Sequence, residues 1–213
     1  MLHLIKFLVK SICRSLFYKY MNIYFVTTNK GKVESISTDL KPYNISIIQK
    51  SIDLTEPRSS DVQEIAQYKM NQAYKQIRKP TIVVDAGFYI DCINGFLRTF
   101  VNFTLETIGT EGILNLVKGK LRTCEFRECL AYMDEELNEP QYFISHVRES
   151  IAETERGHMQ DHLWSKLTLI IPKDSNKTLA EMSYEECLEW RNTLREKNSL
   201  GLKLYNWISM RTK

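Results

Sequence analysis

Two kinds of apolar pattern alternate along the first half of the chain. Short runs of β-branched and aromatic residues, typical of strands, occupy residues 23–26, 45–48 and 81–84. Stretches with apolar residues three or four positions apart, typical of helices, separate these runs. Because strands that alternate with helices characterise α/β proteins, the pattern predicts an α/β fold.

The helical stretches have bounds that the sequence signals. We expect a first helix over residues 32–40 and a long second helix that starts at a capping box at residues 60–63 and ends near residue 78. The second helix carries Lys69 on its apolar face. Its ammonium group either reaches the surface or points into a polar cleft, and the spacing favours neither alternative.

The second half of the chain is predicted to hold a further lobe. The expected elements are, in order, a helical region over residues 99–117 with a break near 109–112, a hairpin of residues 122–133 and 141–152, a strand over 166–171, and a final helix that starts at a capping box at 183–186 and runs to 197. The hairpin would form the second lobe.

Polar residues with the chemistry of a phosphate site follow two of the predicted strands. The turn at residues 27–32, with sequence TTNKGK, offers backbone N–H groups and Lys32 to an anion. Asp85 follows residues 81–84, where we expect that strand to end, and Glu56 lies in the predicted loop over residues 51–60. Carboxylates and lysines in one cleft are the groups used in Mg²⁺-assisted phosphoryl or nucleotidyl chemistry.

The net charge of +3 comes from the first twenty residues. That segment contains four basic residues and no acidic one, so the rest of the chain has 25 Lys and Arg against 26 Asp and Glu. A protein body without positive excess gives little electrostatic support for binding polymeric nucleic acid, and we expect none.

Residues 1–20 are basic and apolar, and lysines interrupt their apolar runs. They therefore match neither a membrane-spanning helix nor a secretory signal peptide. They are either an organellar presequence, a membrane-surface helix or the product of an over-long start assignment, because Met21 directly precedes the first strand. We favour the last, which predicts a single domain over residues 21–213, no membrane span and a cytoplasmic location, or an organellar one if the presequence is genuine.

Cysteine and histidine residues give no sign of a disulfide framework or a zinc site. The five cysteines are odd in number and form no Cys-x-x-Cys pair, so we expect reduced thiols. His158 and His162 have the spacing of two metal ligands on one helix face, but no third soft ligand lies nearby. We expect ordinary histidines there.

Several motifs together resemble the inosine triphosphate pyrophosphatase family. Thr27, Asn29 and Lys32 match its T-x-N-x-x-K opening. The resemblance continues in order through Asp53-Leu54-Thr55-Glu56, Glu64-Ile65-Ala66 with Lys69 and Ala73, Val84-Asp85-Ala86-Gly87, Asn94-Gly95, Glu111-Gly112, residues 122–130, and Thr178-Leu179-Ala180-Glu181-Met182. It extends from Asn22 to the last predicted helix.

The resemblance implies a twisted mixed sheet with flanking helices, arranged as two lobes around a nucleotide cleft, and commonly a homodimer. It also implies Mg²⁺-dependent hydrolysis of a nucleoside triphosphate to the monophosphate and pyrophosphate. Carried over by position, the triphosphate contacts would be Thr27, Asn29, Lys32 and Lys69, the base would stack on Trp164, Mg²⁺ would bind Glu56 and Asp85, and the catalytic residues would be Asp85, Glu56 and Lys32.

Departures from the family pattern concentrate at the base end of the substrate. The family's Gly-Tyr/Trp-Asp-Pro is replaced by Leu163-Trp164-Ser165-Lys166, and its G-x-P-G turn is replaced by Gly95-Phe96-Leu97-Arg98. The lysine and the Ser-His-Arg that grip the purine are replaced by Cys187 and Arg191-Asn192-Thr193. Two family glycines are replaced by Ser145 and Glu149. A site that hydrogen-bonds one base edge discriminates strongly, so losing these groups predicts relaxed or changed base preference.

Three functions are compatible with these residues. The first is a nucleoside triphosphate pyrophosphatase with altered base preference. The second is a catalytically silent nucleotide-binding or interaction protein of the same fold. The third is a hydrolase of another phosphorylated substrate, for which Arg98 and Arg191 could bind a new acidic group, although surface arginines are the commoner explanation.

Overall fold

A mixed sheet of seven strands is the framework of the molecule in the computed structural model, which describes residues 20–158 and 168–211. The strands are β1 (Met21–Val26), β2 (Ile45–Lys50), β3 (Thr81–Ile90), β4 (Leu97–Arg98), β5 (Thr123–Met133), β6 (Gln141–Ile151) and β7 (Ile170–Ile171). Their order is β2-β1-β3-β5-β6-β7, and β4 pairs with β3. The β2-β1-β3 part is parallel, and the remaining pairs are antiparallel.

Five α-helices flank the sheet in the described part of the chain. They are α1 (Lys30–Leu40), α2 (Val62–Ile77), α3 (Val101–Leu116), α4 (Tyr184–Asn198) and α5 (Leu200–Arg211). Helix α1 connects β1 to β2 and α2 connects β2 to β3, because parallel strands can be joined only by a crossover. The predicted α/β fold with a mixed sheet and flanking helices is confirmed.

Side-chain caps fix where the helices begin. The Asn29 side chain accepts a hydrogen bond of 3.0 Å from the backbone N–H of Lys32 at the start of α1. At α2 the cap is Asp61, whose carboxylate accepts from the backbone of Gln63 at 2.8 Å. The predicted capping box at residues 60–63 is therefore wrong by one residue, because the Ser60 hydroxyl accepts from Arg98 instead. The capping box at residues 183–186 is confirmed.

Strand β3 continues six residues beyond the predicted end at residue 84, so Asp85 lies inside the strand and not after it. The reason is pairing: β5 runs beside β3 over its whole length, from Thr81 opposite Met133 to Ile90 opposite Cys124. Strand β1, in contrast, pairs only with Thr81 and Ile82. Asp85 therefore lies just past the point where the parallel neighbour ends, which leaves that side of β3 open.

Apolar residues pack on both faces of the first part of the sheet, which we call the first lobe. Alternate residues of β3 point to opposite faces: Ile82 and Val84 pack with α1 and α5, and Val83 packs with α2. The second lobe consists of α3, β4 and the far ends of β3, β5 and β6, around a separate core that includes Phe88 and Ile90. The predicted hairpin is confirmed, and it extends the same sheet through both lobes.

The chain forms a second carboxyl-terminal helix, α5, that the sequence analysis missed. Asp39 of α1 is 3% exposed and joins α1 to this region. Its carboxylate accepts a hydrogen bond of 2.6 Å from Arg195 and another from the Ser199 hydroxyl, at the junction of α4 and α5. A Cβ atom at Gly201 would lie only 2.4 Å from the Cβ of Asp39, so glycine is needed for this approach.

The structure describes the predicted helix break near residues 109–112 and part of the strand predicted over residues 166–171. The break near residues 109–112 is confirmed by Gly109, whose φ of 64° interrupts α3. The strand predicted over residues 166–171 is described only as Ile170–Ile171. The residues 159–167, with Trp164 and His162, lie outside the described part of the structure, as do residues 1–19.

Four of the five cysteines are described, and each is a free thiol as predicted: Cys92, Cys124, Cys129 and Cys187. No helix within the described residues combines the length and the apolar character that a membrane crossing requires.

Candidate functional site

A cleft of about 610 Å³ lies between the two lobes, at the level where β1 ends. Six residues that the sequence analysis selected line it together: Thr27, Asn29, Lys32, Glu56, Lys69 and Asp85. They come from the β1–α1 turn, the first turn of α1, the loop before α2, α2 itself and β3. The expected convergence of Lys32, Glu56, Lys69 and Asp85 in one cleft is therefore observed.

Local hydrogen bonds hold the turn between β1 and α1 in shape. The Thr27 hydroxyl accepts from the backbone N–H of Asn29 at 3.1 Å, and the Asn29 side chain caps α1. The backbone N–H of Thr27 also donates to the carbonyl of Lys50 at 3.1 Å, which fixes the turn to β2. These contacts hold the first turn of α1 in place where it faces the cleft. The N-terminus of a helix favours the binding of anions.

Lys32 reaches from α1 across to β3, where its ammonium group donates to the carbonyl of Val84 at 3.2 Å. Burial lowers the pKa of Lys32, while the negative charges of Asp85 and Glu128 oppose that shift. The ammonium group of Lys32 therefore lies at the open side of β3, near the carboxylates of Asp85 and Glu128.

Lys69 contacts both predicted carboxylates. Its ammonium group donates to Glu56 Oε1 at 2.7 Å and to Asp85 Oδ1 at 3.3 Å. Its side chain is only 14% exposed, so it points into the cleft and does not reach the surface. Asp85 is two residues beyond Val83, which packs against α2, so both residues lie on the same face of β3. This register explains a lysine on the apolar side of α2.

These contacts shift the pKa values of the site. Burial disfavours the charged form of Lys69, but the Asp85 charge and the Glu56 hydrogen bond outweigh it and raise the pKa of Lys69. Burial also raises the pKa of Asp85, although Lys69 and Lys32 pull it down. Lys69 thus remains a cation, and Asp85 is a stronger proton acceptor than an ordinary carboxylate.

The carboxylates fit a divalent cation that arrives with a phosphate ligand. One carboxylate oxygen of Glu56 and one of Asp85 contact the same ammonium group, that of Lys69. Within the described residues, no cluster of three or more His, Cys, Asp or Glu side chains could hold a metal ion. Mg²⁺ commonly binds proteins through one or two carboxylates and completes its shell with waters and substrate phosphates. A pair of carboxylates in a cleft matches that requirement.

Two of the residues that depart from the family pattern, Cys187 and Glu149, serve the packing of α4. The buried Cys187 thiol donates to the carbonyl of Leu179 at 3.4 Å. The buried Glu149 accepts from Trp190 Nε1 at 3.3 Å, which connects β6 to α4. Arg191 and Asn192 are exposed on α4, and the lining of the cleft, as far as the structure describes it, includes neither.

Two parts of the cleft wall and one carboxylate near Lys32 were not among the predicted site residues. Arg58 lines the cleft, and its position two residues after the predicted site residue Glu56 is a signal in the sequence that could have identified it. Glu128 of β5 lies near Lys32 because of the β3–β5 register, which the sequence does not specify. The second lobe contributes an apolar wall formed by Phe88, Phe100, Val101, Leu105 and Phe126. Such residues cannot be distinguished from ordinary core residues before the fold is known.

Comparison with known proteins identifies relatives over most of the chain. The model of the Ham1 family matches residues 23–192. A dITP/XTP pyrophosphatase of Methanopyrus kandleri is 32% identical over 167 residues, which are 78% of this chain and 87% of the relative. A dITP/XTP pyrophosphatase of Thermococcus kodakarensis is 28% identical over 189 residues, 88% of this chain and 97% of the relative.

Solved structures share the fold at low sequence identity. The Ham1 protein of Staphylococcus aureus superposes with a TM-score of 0.69 at 19% identity, over 90% of this chain and 100% of the other. A HAM1 protein of Coxiella burnetii gives a TM-score of 0.70 at 20% identity, over 87% of this chain and 99% of the other.

The contacts of Lys69 can be tested by measuring the stability of a variant that lacks its charge. Lys69→Met removes the cation between two carboxylates and leaves the buried Asp85 with a still higher pKa. A carboxyl group whose pKa is higher in the folded state destabilises the fold above that pKa, and the penalty disappears as the pH falls through it. We expect the free energy of unfolding in urea to fall by about 2 kcal/mol near pH 8 and to recover on acidification.

The control is the double variant Lys69→Met with Asp85→Asn, which lacks the titrating group and should lose this pH dependence. A loss of stability that is equal at every pH, or that increases on acidification, would contradict the assigned contacts.

Proposed function

This chain belongs to the Ham1 family, and from that membership we propose that it hydrolyses nucleoside triphosphates to nucleoside monophosphates and pyrophosphate with Mg²⁺. The observation that carries the proposal is the double contact of Lys69 with Glu56 and Asp85 in a cleft that also contains Lys32. Relatives named dITP/XTP pyrophosphatases support the same reaction class. The family membership agrees with the resemblance found in the sequence.

Binding of the triphosphate would use the charge and the N–H groups at the end of β1. Thr27 and Asn29 hold the turn that opens α1, and Lys32 and Lys69 supply two ammonium groups. These groups neutralise part of the phosphate charge and fix its position before reaction. Fixed donors and cations in a closed cleft stabilise developing charge more than water does, because they need no reorganisation.

The carboxylates would supply the chemistry. When bound at Glu56 and Asp85, Mg²⁺ would withdraw charge from the α-phosphate and from the departing pyrophosphate. Asp85 has a side chain 12% exposed against 54% for Glu56, and burial raises the pKa of Asp85. We therefore assign to Asp85, beside its contact with the metal, the orientation of the attacking water and the acceptance of its proton, and to Glu56 the position of Lys69 and the other contact with the metal.

Base preference would be relaxed in this chain. Cys187 and Glu149 are buried in contacts that pack α4, so neither is free to read a base edge. The wall of the cleft from the second lobe is mostly apolar, with Thr99 and Asn102 as its polar members, and apolar contacts discriminate between bases far less than matched hydrogen bonds do. The stacking role of Trp164, the homodimer and the cytoplasmic location stay predictions from the sequence.

A substrate panel tests the proposed reaction. We expect pyrophosphate release in the presence of Mg²⁺ from standard purine, deaminated purine and pyrimidine triphosphates, with kcat/KM values within about 100-fold of each other. A preference for inosine and xanthosine triphosphates of more than about 10⁴-fold would contradict relaxed recognition. Absence of turnover by the folded protein would reject hydrolysis, and triphosphate binding by calorimetry would then favour a silent nucleotide-binding protein.

Three variants test the assignment within this reaction. Asp85→Asn and Lys32→Ala should each reduce kcat/KM by at least about 100-fold, because the first removes the proton acceptor and the second removes a cation that binds the phosphates. Asn192→Ala should leave kcat/KM nearly unchanged, because Asn192 is exposed on α4. Steady-state pyrophosphate release measures all three. A loss with Asn192→Ala as large as with Asp85→Asn would contradict the assigned site.

A further inference from the structure

Arg58 is a cation of the cleft wall that the proposed reaction does not yet use. It lies on the loop between β2 and α2, two residues after Glu56, and it is exposed. Lys32 and Lys69 already have polar partners in the cleft. Across the two described ranges, Arg58 makes neither a hydrogen bond nor an ion pair. Its guanidinium group is therefore available to a ligand that enters the cleft.

The backbone on both sides of Arg58 is held in place. On one side, Glu56 is bound to Lys69 at 2.7 Å. On the other, the buried Ser59 donates its hydroxyl proton to Glu64 and its carbonyl accepts from the Thr99 hydroxyl of the second lobe. An arginine that extends from a fixed backbone can bind a ligand without ordering a loop, so less conformational entropy is lost on binding.

The charge of the cleft also favours a further cation. The two lysines of the cleft face the carboxylates of Glu56 and Asp85, and Glu128 lies near Lys32, so the lysine charges are already matched within the protein. A nucleoside triphosphate remains an anion after it binds one Mg²⁺, so its excess negative charge has no counterpart in this set. Guanidinium groups suit that role, because their planar N–H donors form paired hydrogen bonds with phosphate oxygens.

We propose that Arg58 is a substrate-binding residue that clamps the phosphate chain of the nucleotide from the loop side of the cleft. This inference rests on the proposed function, because it takes the triphosphate as the ligand. It adds a residue that contributes to affinity and leaves proton transfer to Asp85.

Kinetics of matched variants test the assignment. Arg58→Ala should raise KM for a nucleoside triphosphate about tenfold or more and change kcat by less than about threefold, because it removes a binding contact distant from the proton transfer. Arg58→Lys keeps the charge without the paired donors and should give an intermediate KM. Arg148→Ala removes an exposed arginine of β6, paired only with Asp91 at 3.4 Å among the described residues, and should leave both constants unchanged.

Binding without turnover separates this inference from the proposed function. In calorimetry with inorganic tripolyphosphate and Mg²⁺, Arg58→Ala should weaken binding about tenfold relative to the wild type and to Arg148→Ala. Equal binding by Arg58→Ala and the wild type, or equal weakening by Arg148→Ala, would overturn the role of Arg58. A wild type that binds tripolyphosphate through Arg58 but releases no pyrophosphate would overturn the proposed function and leave the Arg58 assignment standing.

Discussion

The ion pairs of Lys69 with Glu56 and Asp85 are the interaction on which the site depends. They bring a helix, a loop and the centre of a strand to one point, and two carboxylates could not approach this closely in a partly buried cleft without a cation between them. The sheet makes the arrangement possible, because β1 ends beside Ile82 while β3 continues along β5. Lys32 and the turn between β1 and α1 lie close to Asp85 in the space beside β3 that β1 leaves open.

The residues that the family resemblance assigns to the two ends of the substrate have different surroundings in the structure. The lysines, carboxylates and turn that the resemblance assigns to the triphosphate lie together in the cleft. At the positions that the resemblance assigns to the base, two residues that replace the family pattern have structural contacts: Glu149 accepts a hydrogen bond from Trp190, and Cys187 donates one to Leu179. A replacement that gains a buried partner stabilises the protein directly, so returning to the family residue would leave that partner unpaired. Under the proposed function, phosphate chemistry would therefore persist while base recognition changes.

Local signals in the sequence predicted much of this structure, and tertiary pairing decided the rest. Strand runs, the hairpin and the capping box at Ser183 were evident because their causes are local. The extent of β3 was not, because it depends on β5, some forty residues later in the chain. Lys69 could not be assigned from helical spacing, since only the register of Asp85 on β3 shows what faces it. The Asp61 cap and helix α5 were likewise decided by distant contacts, through Arg98 and Asp39.

The products of a single reaction test the central claim most directly. Phosphorus NMR of a nucleoside triphosphate incubated with the protein and Mg²⁺ distinguishes cleavage next to the α-phosphate from cleavage at the terminal phosphate. The site described above predicts nucleoside monophosphate and pyrophosphate in equal amounts, and neither product when the metal is removed with a chelator. Nucleoside diphosphate with orthophosphate, or hydrolysis that persists in the chelator, would contradict it.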